Sequence, residues 1–120
     1  MQPQFKPMSR QYRRIPVAKT REFAHSKIKG FRVDGKHYVL VKSGEDYYCF
    51  DGLCPHEEGL LSFGQVQGRY LYCTYHQAVF EVDTGKAVPG SPTDKPLRRH
   101  PVKVEADTIY AELEDSAGGE

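Results

Sequence analysis

The sequence predicts an all-β fold, a small antiparallel sandwich or barrel. Three features carry that prediction: eight short stretches rich in Val, Ile, Tyr and Phe, turn signals between them, and no segment with a helical period. The stretches are YRRIPVA (12–18), KIKGFRV (27–33), KHYVLVK (36–42), DYYCF (46–50), RYLYC (69–73), AVFEV (78–82), PVKVE (101–105) and TIYAEL (108–113). Asp34-Gly35 is the strongest hairpin signal, because a two-residue turn with positive φ at both positions matches the twist of the strands it joins. Ser43-Gly44, Gln67-Gly68, Thr84-Gly85 and Ala106-Asp107 mark further turns. Residues 1–11 and 114–120 are polar and without period, so they are read as flexible tails around one domain, 12–113. No internal repeat stands out.

Length and composition exclude several functions. A chain of 120 residues is one domain's worth, able to bury roughly two thirds of the surface its unfolded form exposes. A large catalytic domain does not fit. Seventeen basic residues against sixteen acidic ones leave a formal charge of +1, and no Lys/Arg run is long enough to follow a phosphate backbone, so no nucleic acid is expected. The start, MQPQFKPMSRQYRR, lacks the apolar core of about 7–15 residues that a signal peptide needs. The longest aliphatic run, Val39-Leu40-Val41, is far short of a membrane span, and a cytoplasmic protein without membrane contact is expected. Three cysteines are an odd number, and in a reducing compartment metal binding is a better use for them than cross-linking.

The chemistry concentrates in CPHEEGLLSFGQVQGRYLYCTYH, residues 54–76. Cys54-x-His56 opens it and Cys73-x2-His76 closes it, with sixteen residues (57–72) between the pairs. The strand signal RYLY lies in that gap. A loop, a strand and a second loop bring both pairs to one end of a sheet, where four side chains can converge on an inorganic centre. Thiolates favour iron–sulfur clusters, zinc and Cu(I), and imidazoles suit zinc and iron. A zinc site remains the alternative, although structural zinc usually takes C-x2-4-C and H-x3-5-H spacing, which these pairs do not follow.

At these residues the chain resembles the Rieske family, whose C-x-H, fifteen to seventeen residues, C-x2-H motif binds a 2Fe–2S cluster. The resemblance runs over about residues 13–113, through the Asp34-Gly35 hairpin, YYCFDGLCPH, VFEVDTGKAV, the loop Gly90-Ser91-Pro92 and the closing PVKVEADTIYAEL. It implies an antiparallel β-sandwich with an inserted cluster-binding subdomain, about residues 51–81. Cys54 and Cys73 would hold the inner iron, and His56 and His76 the outer iron near solvent. The mixed donor set then has a physical meaning. Two ferric ions, two sulfides and two thiolates sum to zero, so adding an electron costs less Coulomb work than it would on a four-thiolate dianion, and the potential rises into a range of about −150 to +300 mV.

The same resemblance points to what differs here. High-potential relatives carry Ser and Tyr hydroxyls that donate to sulfur; the matching residues are Ala78 and Phe80, which cannot donate. The places of a bracing disulfide hold Gly59 and Tyr75. Glu58, Thr74 and Gln77 stand where the motif usually has Gly, Pro and Gly, so the local backbone of both loops is expected to differ slightly from that of relatives. Leu53, Leu61 and Phe63 are expected to pack beneath the loops, and Gly90-Ser91-Pro92 to form a third loop over the cluster. Glu57 and Glu58, next to His56, form a candidate acidic collar for steering a partner.

The implied function is a soluble one-electron carrier, not an enzyme, because no residues remain for a second domain with a 2-His-1-carboxylate iron. Its implied partners are a flavin-containing NAD(P)H reductase and a terminal oxygenase, an aromatic-ring dioxygenase or a relative, with the carrier itself a monomer. The small subunit of an NAD(P)H-dependent nitrite reductase and a zinc-stabilised interaction module are the alternatives. Cys49 reads as a buried structural thiol, and His25, His37 and His100 read as solvated surface histidines.

Overall fold

A computed structural model describes residues 12–55, 59–73 and 78–114. Ten strands run through them: β1 (Tyr12–Lys19), β2 (Ile28–Val33), β3 (Lys36–Ser43), β4 (Asp46–Asp51), β5 (Gln65–Gln67), β6 (Tyr70–Tyr72), β7 (Val79–Glu81), β8 (Arg99–His100), β9 (Val102–Glu105) and β10 (Thr108–Glu114). They form three antiparallel sheets, ordered β1-β10-β9, β2-β3-β4-β8 and β5-β6-β7. Short 3-10 turns at Thr20–Phe23 and Leu61–Phe63 join them. No helix among the described residues is long and apolar enough to cross a membrane.

The β2-β3-β4-β8 sheet lies between the other two, and its side chains show why. Leu40 and Cys49 point into one core with Ala18, Ile109, Ala111 and Leu113 from the β1-β10-β9 sheet. Val39, Val41 and Phe50 point the opposite way, into a second core with Val66, Leu71 and Phe80 from the β5-β6-β7 sheet. Alternate residues of one strand thus serve two cores, and Val39, Leu40 and Val41 are all fully buried. That is why YVLV is an unbroken apolar run rather than the in–out alternation of a strand with one wet face. Burying a side chain such as Phe50 or Phe80 contributes roughly 1.5–3 kcal/mol, so the second core is what holds the β5-β6-β7 unit on the base.

Turn chemistry sets the registers. Asp34 and Gly35 adopt φ of 53° and 81°, as the hairpin signal predicts, and Val33 pairs with Lys36 on either side. Two strands were not among the eight predicted. In β5 only Val66 is buried between two exposed glutamines, and β8 is an Arg-His pair, so neither offers a run of apolar residues to read.

Backbone approach is tightest at Gly64, where the chain leaves the Leu61–Phe63 turn for β5. A Cβ there would lie 2.0 Å from the Tyr72 carbonyl oxygen, and a backbone oxygen cannot swing aside. Gly64→Ala is therefore expected to destabilise the fold by about 1–3 kcal/mol, which for a domain this small lowers Tm by about 4–8 °C per kcal/mol. A melting curve that superimposes on the wild type would show that β5 is free to move.

Candidate metal centre

The first candidate ligand loop grows out of the end of β4. Asp51 N–H donates to the Arg98 carbonyl at 3.0 Å and Gly52 N–H to the His37 carbonyl at 2.9 Å, which ties the outgoing chain to the base. The chain then turns back on itself. Leu53 and Leu60 form an antiparallel bridge, Leu61 N–H donates to the Gly52 carbonyl, and Cys54 N–H donates to the Gly59 carbonyl at 2.8 Å. Cys54 is thus the last residue before the tip of a hairpin-like loop.

The second loop repeats the device on the β6–β7 hairpin. Tyr72 pairs with Val79, and Cys73 N–H donates to the Ala78 carbonyl at 2.8 Å. Each cysteine therefore closes its loop by the same bond to the residue five positions on. His56 and His76, with Glu57, Glu58, Thr74, Tyr75 and Gln77, lie outside the described residues.

Both cysteines are buried in the same core. Cys54 is 0% and Cys73 2% exposed, and both belong to the second core with Leu61, Val66, Leu71, Ala78 and Phe80. No disulfide joins Cys49, Cys54 and Cys73. Two bare thiolates in such surroundings would be costly, whereas two thiolates neutralised by ferric ions are not. The donor chemistry at these loop roots fits the inner half of a 2Fe–2S cluster. Ala78 and Phe80 are 0% exposed and bring no hydroxyl to the sulfurs.

A third segment is fastened beside the second loop. Val79 N–H donates to Ser91 Oγ at 3.0 Å, and the Val79 carbonyl accepts from Val88 N–H at 2.8 Å. These two bonds tie the Gly90-Ser91-Pro92 turn to the start of β7, a role for the Ser91 hydroxyl that the sequence does not reveal.

Two expectations about packing are corrected. Leu61 is fully buried as expected, but Leu53 is 39% and Phe63 62% exposed. In an extended hairpin arm neighbours alternate, so Cys54 turned inward places Leu53 outward. In a turn of three residues per revolution, Phe63 stands two-thirds of the way round from Leu61 and faces away from the core.

His100 is the other correction, since it is 3% exposed rather than solvated. It pairs with Cys49 in the sheet, its ring meets Tyr38 edge to face at 5.3 Å, and its Nε2 lies 2.8 Å from Asp51 Oδ1. An ionised carboxylate only accepts, so Nε2 carries the proton. Lys36 Nζ approaches the same oxygen at 3.4 Å. Burial raises the Asp51 pKa, but the His100 hydrogen bond and the Lys36 charge outweigh it and hold the carboxyl below its ordinary range. Its contribution to stability is therefore complete above the unfolded value of about 3.9 and is lost only as pH falls through the lower folded value. No local sequence signal marks His100, because its partner lies 49 residues away.

Cys49 is the buried structural thiol expected. It is fully buried in the first core, and burial, with the Asp51 charge second, pushes its pKa up to about 12. At pH 8 that leaves a thiolate fraction of about 10⁻⁴. Iodoacetamide is expected to leave Cys49 unmodified in the folded holoprotein and to label it fully after unfolding; labelling of its peptide in the native state would show that the strand opens.

Two buried cysteines at matching loop roots, one just after β4 and one on the β6–β7 hairpin, suit the inner half of an iron–sulfur centre. Residues 13–101 match the Rieske [2Fe-2S] domain, and the chain belongs to that family. It is 34% identical over 87 residues, 72% of its length and 83% of the relative's, to the ferredoxin component of the naphthalene 1,2-dioxygenase/salicylate 5-hydroxylase systems of a Ralstonia species. To the naphthalene 1,2-dioxygenase ferredoxin component of Pseudomonas putida it is 36% identical over 86 residues, covering 72% and 82% of the two chains. The solved ferredoxin of carbazole 1,9a-dioxygenase from Nocardioides aromaticivorans superposes with a TM-score of 0.74 at 27% identity, covering 82% of this chain and 95% of that one. A chain in a complex of reduced oxygenase and oxidized ferredoxin of carbazole 1,9a-dioxygenase shares the fold, with a TM-score of 0.74 at 24% identity. The protein is accordingly a Rieske-type ferredoxin, an electron carrier with one 2Fe–2S cluster rather than a catalytic subunit.

Proposed function

We propose that Cys54, His56, Cys73 and His76 hold the cluster and that the chain passes single electrons from a flavin-containing NAD(P)H reductase to a terminal oxygenase, an aromatic-ring dioxygenase or a relative. The observation that carries the ligand assignment is the shared root geometry of Cys54 and Cys73, each buried and each closing a loop whose remaining residues include one histidine of the motif. When bound, the cluster supplies one reversible electron. The chain's part is to hold it: two thiolates sit at fixed loop roots, and Leu61, Leu71 and Phe80 keep water from them. The relatives' names, ferredoxin components of dioxygenase systems, support the oxygenase partner over the nitrite reductase subunit and over a zinc-stabilised module. Residues 12–113 would act as one domain, with the cluster-binding subdomain at about 51–81, working as a monomer in the cytoplasm.

The test uses the purified holoprotein. A red-brown protein with iron and labile sulfide in equal amounts is expected, reduced rapidly by a flavin reductase with NADH and reoxidised by a substrate-loaded oxygenase in a single turnover. A colourless protein carrying one zinc ion would overturn the ligand assignment. A reduced cluster that the oxygenase cannot reoxidise, but that a nitrite reductase can, would overturn the partner.

A further inference from the structure

We propose that His100 and Asp51 are positioning residues for the first ligand loop: an imidazole–carboxylate brace that fixes the loop's root and sets a negative charge three residues from Cys54.

Three observations converge on it. First, His100 is the one buried polar or charged side chain among the described residues. A polar group is costly to bury unless it is hydrogen-bonded, and its bond goes to Asp51, the last residue of β4. Secondly, Asp51 stands three residues before Cys54, and the links between them are rigid. Asp51 N–H is bonded to Arg98, two residues before His100, and Gly52 N–H is bonded to His37. A Cβ on Gly52 would lie 2.8 Å from the Tyr38 nitrogen, so the backbone has no room to drift. Side-chain and backbone bonds from the 98–100 segment thus grip one residue, and the chain leaves it in a single direction toward Cys54.

Thirdly, the Asp51 carboxylate is not sealed in the base. Together with Cys54, Pro55, Lys36 and Arg98 it lines a cavity of about 300 Å³ at the root of the loop. Three residues of chain keep Asp51 within about 11 Å of Cys54, and an anion at that range makes an added electron at the loop less welcome. Lys36, 43% exposed and 3.4 Å from the carboxylate, moderates that charge from the rim. Asp51 therefore lowers the potential in the same direction as the missing hydroxyls at Ala78 and Phe80.

The proposal rests on the chain holding its cluster, so its test begins from wild-type protein that shows the cluster's absorbance. Asp51→Asn keeps an oxygen to accept from His100 and removes the charge. It is expected to retain the cluster as the wild type does and to shift the one-electron equilibrium with a mediator of fixed potential by about threefold or more toward reduced protein. His100→Phe removes the donor and leaves the half-buried carboxylate held by Lys36 alone. This variant is expected to lose iron to a chelator at least fivefold faster than wild type, and His100→Gln, which still carries an N–H donor, to restore most of the retention. A merely structural pair would lose iron faster in both Asp51→Asn and His100→Phe with no change in potential, and that pattern overturns the charge assignment. Wild-type iron loss in His100→Phe overturns the brace. Should either variant fail to fold, Lys36→Gln on the exposed rim decides the charge: the equilibrium is expected to shift toward oxidised protein, and an unchanged position overturns it.

Discussion

Replacing His56 and His76 together by cysteine is expected to take the reduction potential from the Rieske range of about −150 to +300 mV down toward about −400 mV, the value of clusters with four thiolates. The argument is electrostatic. Each exchange puts an anionic thiolate where a neutral imidazole stood, so the oxidised cluster changes from neutral to dianionic and the added electron meets two more negative charges. The core side of the site offers nothing to offset this, since Cys54 and Cys73 share it with Leu61, Val66, Leu71, Ala78 and Phe80. Single exchanges should fall between the two limits, and protein-film voltammetry of reconstituted variants measures the potentials. A double variant that assembles a cluster at the wild-type potential would remove the histidines from the ligand set.

How much of this was legible in the sequence varies residue by residue. The ligand spacing is local and chemical, so Cys54 and Cys73 could be found without any fold, and the structure places both at buried loop roots. The Asp34-Gly35 turn was equally legible, because its two residue types are what positive φ requires. Cys49 was readable as buried, but the reason was not: only the three-sheet layering shows that alternate residues of β3 and β4 enter two different cores. Leu53 and Phe63 were misplaced because hydrophobicity says that a side chain prefers burial, not which way the backbone turns it. His100 was invisible for a different reason. A histidine between arginine and proline carries no apolar periodicity, and what buries it is a carboxylate and a tyrosine from distant strands. Long-range polar pairs of this kind are where single-sequence reading loses its grip, and here one sits at the root of the ligand loop.

Restoring the missing hydroxyls is the second large effect expected. Ala78 and Phe80 flank the second loop on the side of Cys73, both fully buried, and the Ala78 carbonyl already accepts the Cys73 N–H. Ala78→Ser with Phe80→Tyr would place two O–H groups in the apolar core that also holds Cys54 and Cys73. Hydrogen bonds to sulfur draw charge from the cluster and favour its reduced form, so the potential should rise toward the upper half of the Rieske range. The same substitutions carry a stability signature that separates this cause from others. Without the cluster, a buried hydroxyl that finds no partner costs about 1–3 kcal/mol, so the apoprotein of the double variant should melt lower than wild-type apoprotein. With the cluster bound, the hydroxyls are satisfied and the difference should shrink or disappear. Phe80→Tyr alone is expected to show the larger share of the potential shift if its oxygen reaches the Cys73 sulfur, and Ala78→Ser alone the smaller. A potential that stays put while both apo- and holoprotein lose the same stability would mean that the new hydroxyls point away from the sulfurs, and the absence of hydroxyls at Ala78 and Phe80 would then have no part in setting the potential.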